Sequence, residues 1–130
     1  MEAEIKIYDP LCDYQKLLKV ILSEGEEWNL YTHEPGKSRY QKALAASITY
    51  VAVIDGKICG YSRSIPDAGL YIWVVDLLVS REYRNRGLGR LLIECLRPIY
   101  PDEEIYIFSD ADMYYQKLGY TREGSIYKVS

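Results

Sequence analysis

In Arg84-Asn85-Arg86-Gly87-Leu88-Gly89 an arginine-rich turn with two glycines separates an apolar run from an amphipathic one. A strand that ends in such a turn and opens directly into a helix leaves several backbone amides unpaired at the positive end of the helix dipole, an arrangement suited to a phosphate or pyrophosphate. Glycine lets the anion approach the main chain. Arg81, Arg84, Arg86 and Arg90 add positive charge locally to a chain whose formal charge is -3, so an anion is met here and repelled elsewhere. A nucleotide-hydrolysing P-loop needs Lys-Ser or Lys-Thr after its glycines, and none follows. A dinucleotide fingerprint needs a third glycine where Leu92 stands, behind βαβ units instead of hairpins.

Other residues with chemical capacity are sparse. Asp76 is the single charge in the apolar run LYIWVVDLLV from Leu70 to Val79. Strict strand alternation turns it away from the face of Trp73 and Val75 unless a bulge shifts the phase. His33 and Glu34 lie in a polar stretch with scattered aromatics, and either could accept a proton. Cys12, Cys59 and Cys95 are widely spaced among apolar neighbours, which reads as buried free thiols instead of a disulfide or zinc framework.

The elements that must position these groups follow from periodicity. Ala3–Tyr8 alternates as a strand, and Leu11, Tyr14, Leu17, Leu18, Ile21 and Leu22 recur at helical steps. A short helix between Ser23 and Gly36 and another from Lys37 to Ala46 are expected next. Thr49–Ile54 and Lys57–Arg63 are strands joined by Asp55-Gly56, a pairing that favours a type I′ turn. After a Pro66-Asp67 loop, Leu70–Val79 reads as a central strand covered on both faces. Leu88, Leu91, Leu92, Cys95 and Leu96 mark a helix that Pro98 ends. A strand at Glu104–Phe108, a short helix at Ala111–Lys117 with Ser109 and Asp110 as its cap, and two β segments at Gly119–Thr121 and Ile126–Val129 complete a mixed α+β domain spanning residues 1–130.

With 130 residues, 48% of them hydrophobic and 27% charged, the chain suits one soluble globular domain and is too apolar for disorder. The acidic balance excludes a general nucleic-acid coat protein. The N-terminal MEAEIKIYDP lacks the basic-then-apolar order of a signal peptide, and no apolar run approaches the roughly 20 residues of a membrane span. A cytoplasmic protein is expected, with neither nucleic acid nor membrane as partner. Tyrosine outnumbers phenylalanine 14 to 1.

The glycine-arginine turn resembles motif A of the GNAT superfamily of acyl-CoA-dependent N-acyltransferases, [QR]-x-x-G-x-[GA]. Arg84, Gly87 and Gly89 occupy its three defined places. The lead-in from Asp76 to Tyr83 is similar to D-L-x-V-x-P-E-Y, with Arg81 in place of proline. Tyr114-Tyr115-Gln116-Lys117-Leu118-Gly119-Tyr120 resembles the family's F-Y-x-K-L-G-F segment. The resemblance covers the chain from about Thr49 onward.

It implies a mostly antiparallel sheet with a splayed central parallel strand pair and helices on both faces. It also implies acetyl-CoA as co-substrate, no metal, and direct transfer to a primary amine of a small molecule or peptide in a ternary complex. Leu77, Leu78 and Val79 on the strand, and Asn85, Arg86, Gly87, Leu88, Gly89 and Arg90 with Arg84 in the turn, would hold the cofactor. The Leu77 amide would face the thioester oxygen, and Tyr115 would protonate the departing sulfur. Related enzymes often carry a carboxylate or histidine where Trp73 and Val75 stand, which leaves Asp76, His33, Glu34 or a water chain as the base. Trp28, Tyr31, Tyr40, Tyr71 and Trp73 could wall the acceptor site. A CoA-binding sensor without catalysis, or an interaction subunit meeting its partner through tyrosines, are the competing readings. A homodimer formed through a sheet edge or the C-terminal strand is compatible with either.

Overall fold

Alternation and turn chemistry dictate most of the sheet. The computed structural model describes residues 2–130. The strands β1 (Glu4–Ile7), β2 (Ile48–Ile54), β3 (Lys57–Asp67), β4 (Tyr71–Val79) and β5 (Glu104–Ile107) form one sheet in that order. The first three pairings are antiparallel and β4–β5 is parallel. Asp55 and Gly56 both take positive φ, 51° and 75°, as a type I′ turn requires. Helices α1 (Tyr14–Leu22), α2 (Asn29–Thr32) and α3 (Gly36–Ala46) precede β2, with a single 3-10 turn at Glu26–Trp28 ahead of α2. Helices α4 (Leu88–Glu94) and α5 (Leu96–Ile99) link β4 to β5, and α6 (Asp112–Lys117) follows.

The apolar faces sort the helices onto the two sides of the sheet. Leu17, Ile21, Tyr40 and Leu44 from α1 and α3 pack with Val51, Tyr61 and Leu78 on one side. On the other, Leu88 meets Ile54 and Cys59, and Leu96 meets Ile72 and Val74. The result is the expected mixed α+β architecture. Among the described residues, no helix is long and apolar enough to cross a membrane.

Several expectations are corrected. Leu11 lies ahead of α1 and is exposed, because the chain is still turning where the periodic pattern begins. Cys12 is also exposed, while Cys59 is buried and Cys95 half-buried. Strand β3 runs through Pro66 to Asp67 instead of stopping at Arg63. Its pairing with β2 ends at Ile48↔Ser64, so Pro66 sits where no ladder bond is needed on that side. Pro98 does not end the helix; it lies inside α5, and the break falls at Cys95. Proline has no N–H to offer the Glu94 carbonyl, which is where α4 stops. Leu91 is exposed instead of facing the core. Ser109 accepts the Ala111 amide at 3.0 Å, one residue before the helix, and no side chain caps α6. Residues 120–130 form no strand. Ile126, Tyr127 and Val129 are exposed there, and a strand with no apolar face to bury is not self-sustaining.

Candidate active site

The parallel pair β4–β5 is short. Their register runs from Tyr71↔Glu104 to Val74↔Ile107, and the last bond joins the Phe108 amide to the Val74 carbonyl at 2.8 Å. Beyond Val74, β4 continues to Val79 alone on that side, which opens a wedge between the strands. Backbone direction within the wedge follows from pairing. The Ser80 amide bonds the Cys59 carbonyl on the β3 side, so alternation sends the main-chain groups of Leu77 and Val79 toward the opening. Leu78 faces β3 with its backbone and the core with its side chain, which is 5% exposed. It forms part of the wall and not of the opening.

A bulge controls which side chains flank this wedge. Arg63 pairs with Asp76 and Ser64 with Val74, which leaves Val75 without a partner on β3. One extra residue inverts the alternation beyond it, so Asp76 shares a face with Trp73. There its Oδ2 accepts the Arg63 Nε at 2.6 Å and the Tyr40 hydroxyl at 2.7 Å. Tyr40 also bonds the buried Tyr61 hydroxyl at 2.6 Å, stacks on Tyr31 with centroids 4.0 Å apart, and lies under the Arg63 guanidinium. Arg63 and Tyr61 carried no sequence signal for this role, since each lies in an ordinary strand pattern.

At the upper end of the wedge the turn into α4 has the expected form. Asn85 and Gly87 take φ of 65° and 80°, and the first helical bond is Leu91 N–H to the Gly87 carbonyl at 3.1 Å. Among the described residues, the amides of Asn85, Arg86, Gly87, Leu88, Gly89 and Arg90 donate no hydrogen bond. The arginines differ in availability. Arg84 donates through Nε to the Val79 carbonyl at 2.9 Å and through Nη2 to Glu24. Arg90 is paired with Glu94 at 2.7 Å. Arg86 lies over the Tyr83 ring, 5.2 Å from its centroid, and Arg81 opens a single 3-10 turn, Arg81–Tyr83, just after the strand.

Helix α6 brings its two tyrosines to this region. A Cβ on Gly89 would collide with the Tyr114 hydroxyl, so bare backbone there admits that side chain, 40% exposed, against the first turn of α4. Tyr115 lies edge-on to Tyr114, 5.1 Å between centroids, and parallel to Tyr120 at 6.4 Å. Burial, with the nearby Asp110 and Tyr114, pushes its phenol up to about 12. Tyr120 continues to the Glu94 carboxylate at 2.7 Å, tying the chain after α6 to α4.

The stretch expected to cover the acceptor side forms a hollow lined by Leu30, Tyr31, His33, Glu34, Arg39 and Tyr40. Glu34 is committed locally. Its two oxygens take the Ser38 amide at 2.9 Å and the Ser38 hydroxyl at 2.6 Å, and these bonds hold its carboxyl below the usual range. His33 Nδ1 pairs with the Thr32 hydroxyl at 3.0 Å. Trp28 packs against Tyr31 at 5.6 Å. Trp73 instead stacks on Tyr106 and Tyr71 tilts against both, on the sheet itself and outside the lining of that hollow.

Tyr115 is one of several tyrosines, Tyr40, Tyr61 and Tyr120 among them, whose raised phenols give the fold a titratable signature. Tyr8, through burial and then Asp13, is also pushed up to about 12. An unfolded tyrosine titrates near 10, so the folded chain keeps protons that the unfolded chain releases. Their contribution is intact below pH 10 and is lost as pH rises from 10 through 12. Thermal melts across that window are expected to fall steeply, alongside the rise of tyrosinate absorbance; a flat melting temperature would contradict the buried placement of these phenols.

Residues 45–122 match the acetyltransferase (GNAT) domain family, and the chain belongs to that family. Among individual relatives, the uncharacterized N-acetyltransferase ycf52 of Pyropia yezoensis is 25% identical, with the alignment covering 90% of this chain and 79% of that one. The fold is shared with the aminoglycoside acetyltransferase HMB0005 from an uncultured soil metagenomic sample, at TM-score 0.76 and 21% identity over 100% and 99% of the two chains. It is shared also with the PaiA N-acetyltransferase of Thermoplasma acidophilum in complex with coenzyme A, at TM-score 0.70 and 14% identity over 92% and 87%.

Proposed function

We propose that the protein transfers an acetyl group from acetyl-CoA to a primary amine by direct attack within a ternary complex. The observation that carries this reading is the parting of β4 from β5 after Val74, which leaves the main chain of Leu77 and the amide of Val79 free to pair with an extended ligand, while the Val79 carbonyl is held by Arg84. Unpaired strand groups at such a place are otherwise unfavourable. The Asn85–Arg90 amides at the top of the same wedge suit the diphosphate of coenzyme A. The acetyl carbonyl would meet the Leu77 amide, which stabilises the negative charge that develops on its oxygen.

In this scheme the amine nitrogen forms a bond to the acetyl carbon while the carbon–sulfur bond breaks. The amine gives up a proton and the thiolate takes one. Tyr115 supplies the proton to sulfur. Asp76 has one oxygen held by Arg63 and Tyr40, and its other oxygen receives the amine proton, with water as a relay where the acceptor is short. A cysteine-bound intermediate is not part of the scheme. Burial pushes the Cys95 thiol up to about 11, and Cys59 is buried with its thiol likewise raised by burial.

The test is calorimetric titration with CoA, followed by a screen of an amine library with acetyl-CoA that reads free thiol release. Aminoglycosides enter that library first, because the neighbour HMB0005 is an aminoglycoside acetyltransferase. Thiol release with a matched acetylated amine supports the proposal. CoA binding without turnover on any amine would favour the sensor reading, and no CoA binding would overturn both.

A further inference from the structure

Glu24 stands in a place that is doubly unfavourable for an acid. It follows the last turn of α1, where the helix dipole is negative, and its side chain is 4% exposed. Its Oε1 accepts Arg84 Nη2 at 2.5 Å, and among the described residues its Oε2 is buried with no partner. Arg84 uses its Nε on the Val79 carbonyl at 2.9 Å. One carboxylate from the N-terminal half thus holds the arginine that clips the end of β4 to the turn carrying Asn85–Arg90.

A buried ion pair is weak evidence for stability, because the desolvation of its carboxylate offsets the attraction to its partner. Resting on the CoA reading above, we propose that Glu24 is a positioning residue for the diphosphate turn. It fixes the Arg84 guanidinium so that Nε meets Val79, which sets the spacing between the open strand edge and the Asn85–Arg90 amides. Gly25, at φ 95°, then turns the chain away toward Glu26–Trp28 and α2, so the same ion pair anchors the start of the acceptor-side cover to the cofactor turn.

Stability and binding are expected to part company here, which makes the test clean. Titration of coenzyme A against the parent, Glu24→Ala and Glu24→Gln, with a thermal melt of each, separates the roles. Glu24→Ala is expected to weaken CoA binding roughly ten- to a hundredfold, the scale seen when a supporting partner of a binding group is lost. Arg84 is 45% exposed and stays solvated when unpaired, so the melting temperature should fall far less than the affinity does. Glu24→Gln keeps an acceptor oxygen and should recover most of the affinity, and the KM for acetyl-CoA should rise more than kcat falls. Unchanged affinity in both variants overturns the inference, as does tighter binding by Glu24→Ala, which would mean that a freed Arg84 serves the phosphates better. Should Glu24→Ala fail to fold, Glu24→Leu, which fills the space but offers no acceptor oxygen, takes its place: a loss of CoA affinity that Glu24→Gln does not share supports the inference, and unchanged affinity overturns it. Failure of the parent protein to bind CoA would instead remove the proposed function, and this inference with it.

Discussion

Replacing Tyr115 with phenylalanine is expected to lower kcat at least about a hundredfold while CoA affinity stays within about twofold, since a positioned general acid contributes roughly 10²–10⁴. The substitution keeps the ring that packs against Tyr114 and Tyr120 and removes only the hydroxyl. The environment argues for a proton donor. Burial raises the phenol to about 12, so it remains neutral across physiological pH, and as the acid proposed above it would yield its proton only as negative charge gathers on sulfur. The alkaline limb of kcat assigned to this group should therefore appear toward pH 12 and not at the ordinary 10. Activity would be present below that limb and lost as pH rises through it. Near-parental turnover by Tyr115→Phe would reduce the residue to a packing role.

Gly87→Val should abolish measurable CoA binding, a loss of about a hundredfold or more, yet leave a folded protein. Gly87 sits at φ 80° and nothing lies within 4 Å of where its Cβ would be. The Cβ of valine meets no clash there. The residue meets backbone strain of about 1–3 kcal/mol, small against typical domain stability of about 5–15 kcal/mol. The turn would relax toward negative φ, and the amides that follow would lose their common direction. Gly87→Asn separates two explanations. Asn85 already holds φ 65° two positions earlier, so asparagine suits the conformation. If conformation is what matters, Gly87→Asn binds CoA within about tenfold of the parent. If close approach of the phosphate is what matters, it fails as valine does. Parental CoA affinity in Gly87→Val would remove the turn from the binding site.

What could be read in advance was local. Asp55-Gly56 announced its turn because both positions need positive φ, and the Arg84–Gly89 segment announced a strand-to-helix turn because glycine and arginine there make little sense as core. Features set by distant partners were not readable. Pro66 belongs to a strand only because β2 begins at Ile48 and leaves that stretch of β3 unpaired on one side. Cys95 divides a helix because Pro98 lies three residues further on, and periodicity alone favoured a continuous face. The Ile126–Val129 alternation had the right rhythm and no surface to bury it against. In the candidate site, Arg84 was legible as a cation but not as a clip, because its partner Glu24 is 60 residues away. The orientation of Asp76 hinged on a bulge that no residue type marks.

That bulge makes β4 an instrument of two registers. Below Val75 the strand offers Ile72 and Val74 to Leu96; above it, Leu78 joins the α1 side and Asp76 reaches Arg63 and Tyr40. Giving Val75 a partner, by one residue inserted between Arg63 and Ser64, would restore strict alternation and swing the carboxylate across the sheet toward the side where Ser62 bonds the Leu92 carbonyl. A single supernumerary valine thereby decides which half of the molecule owns the charge.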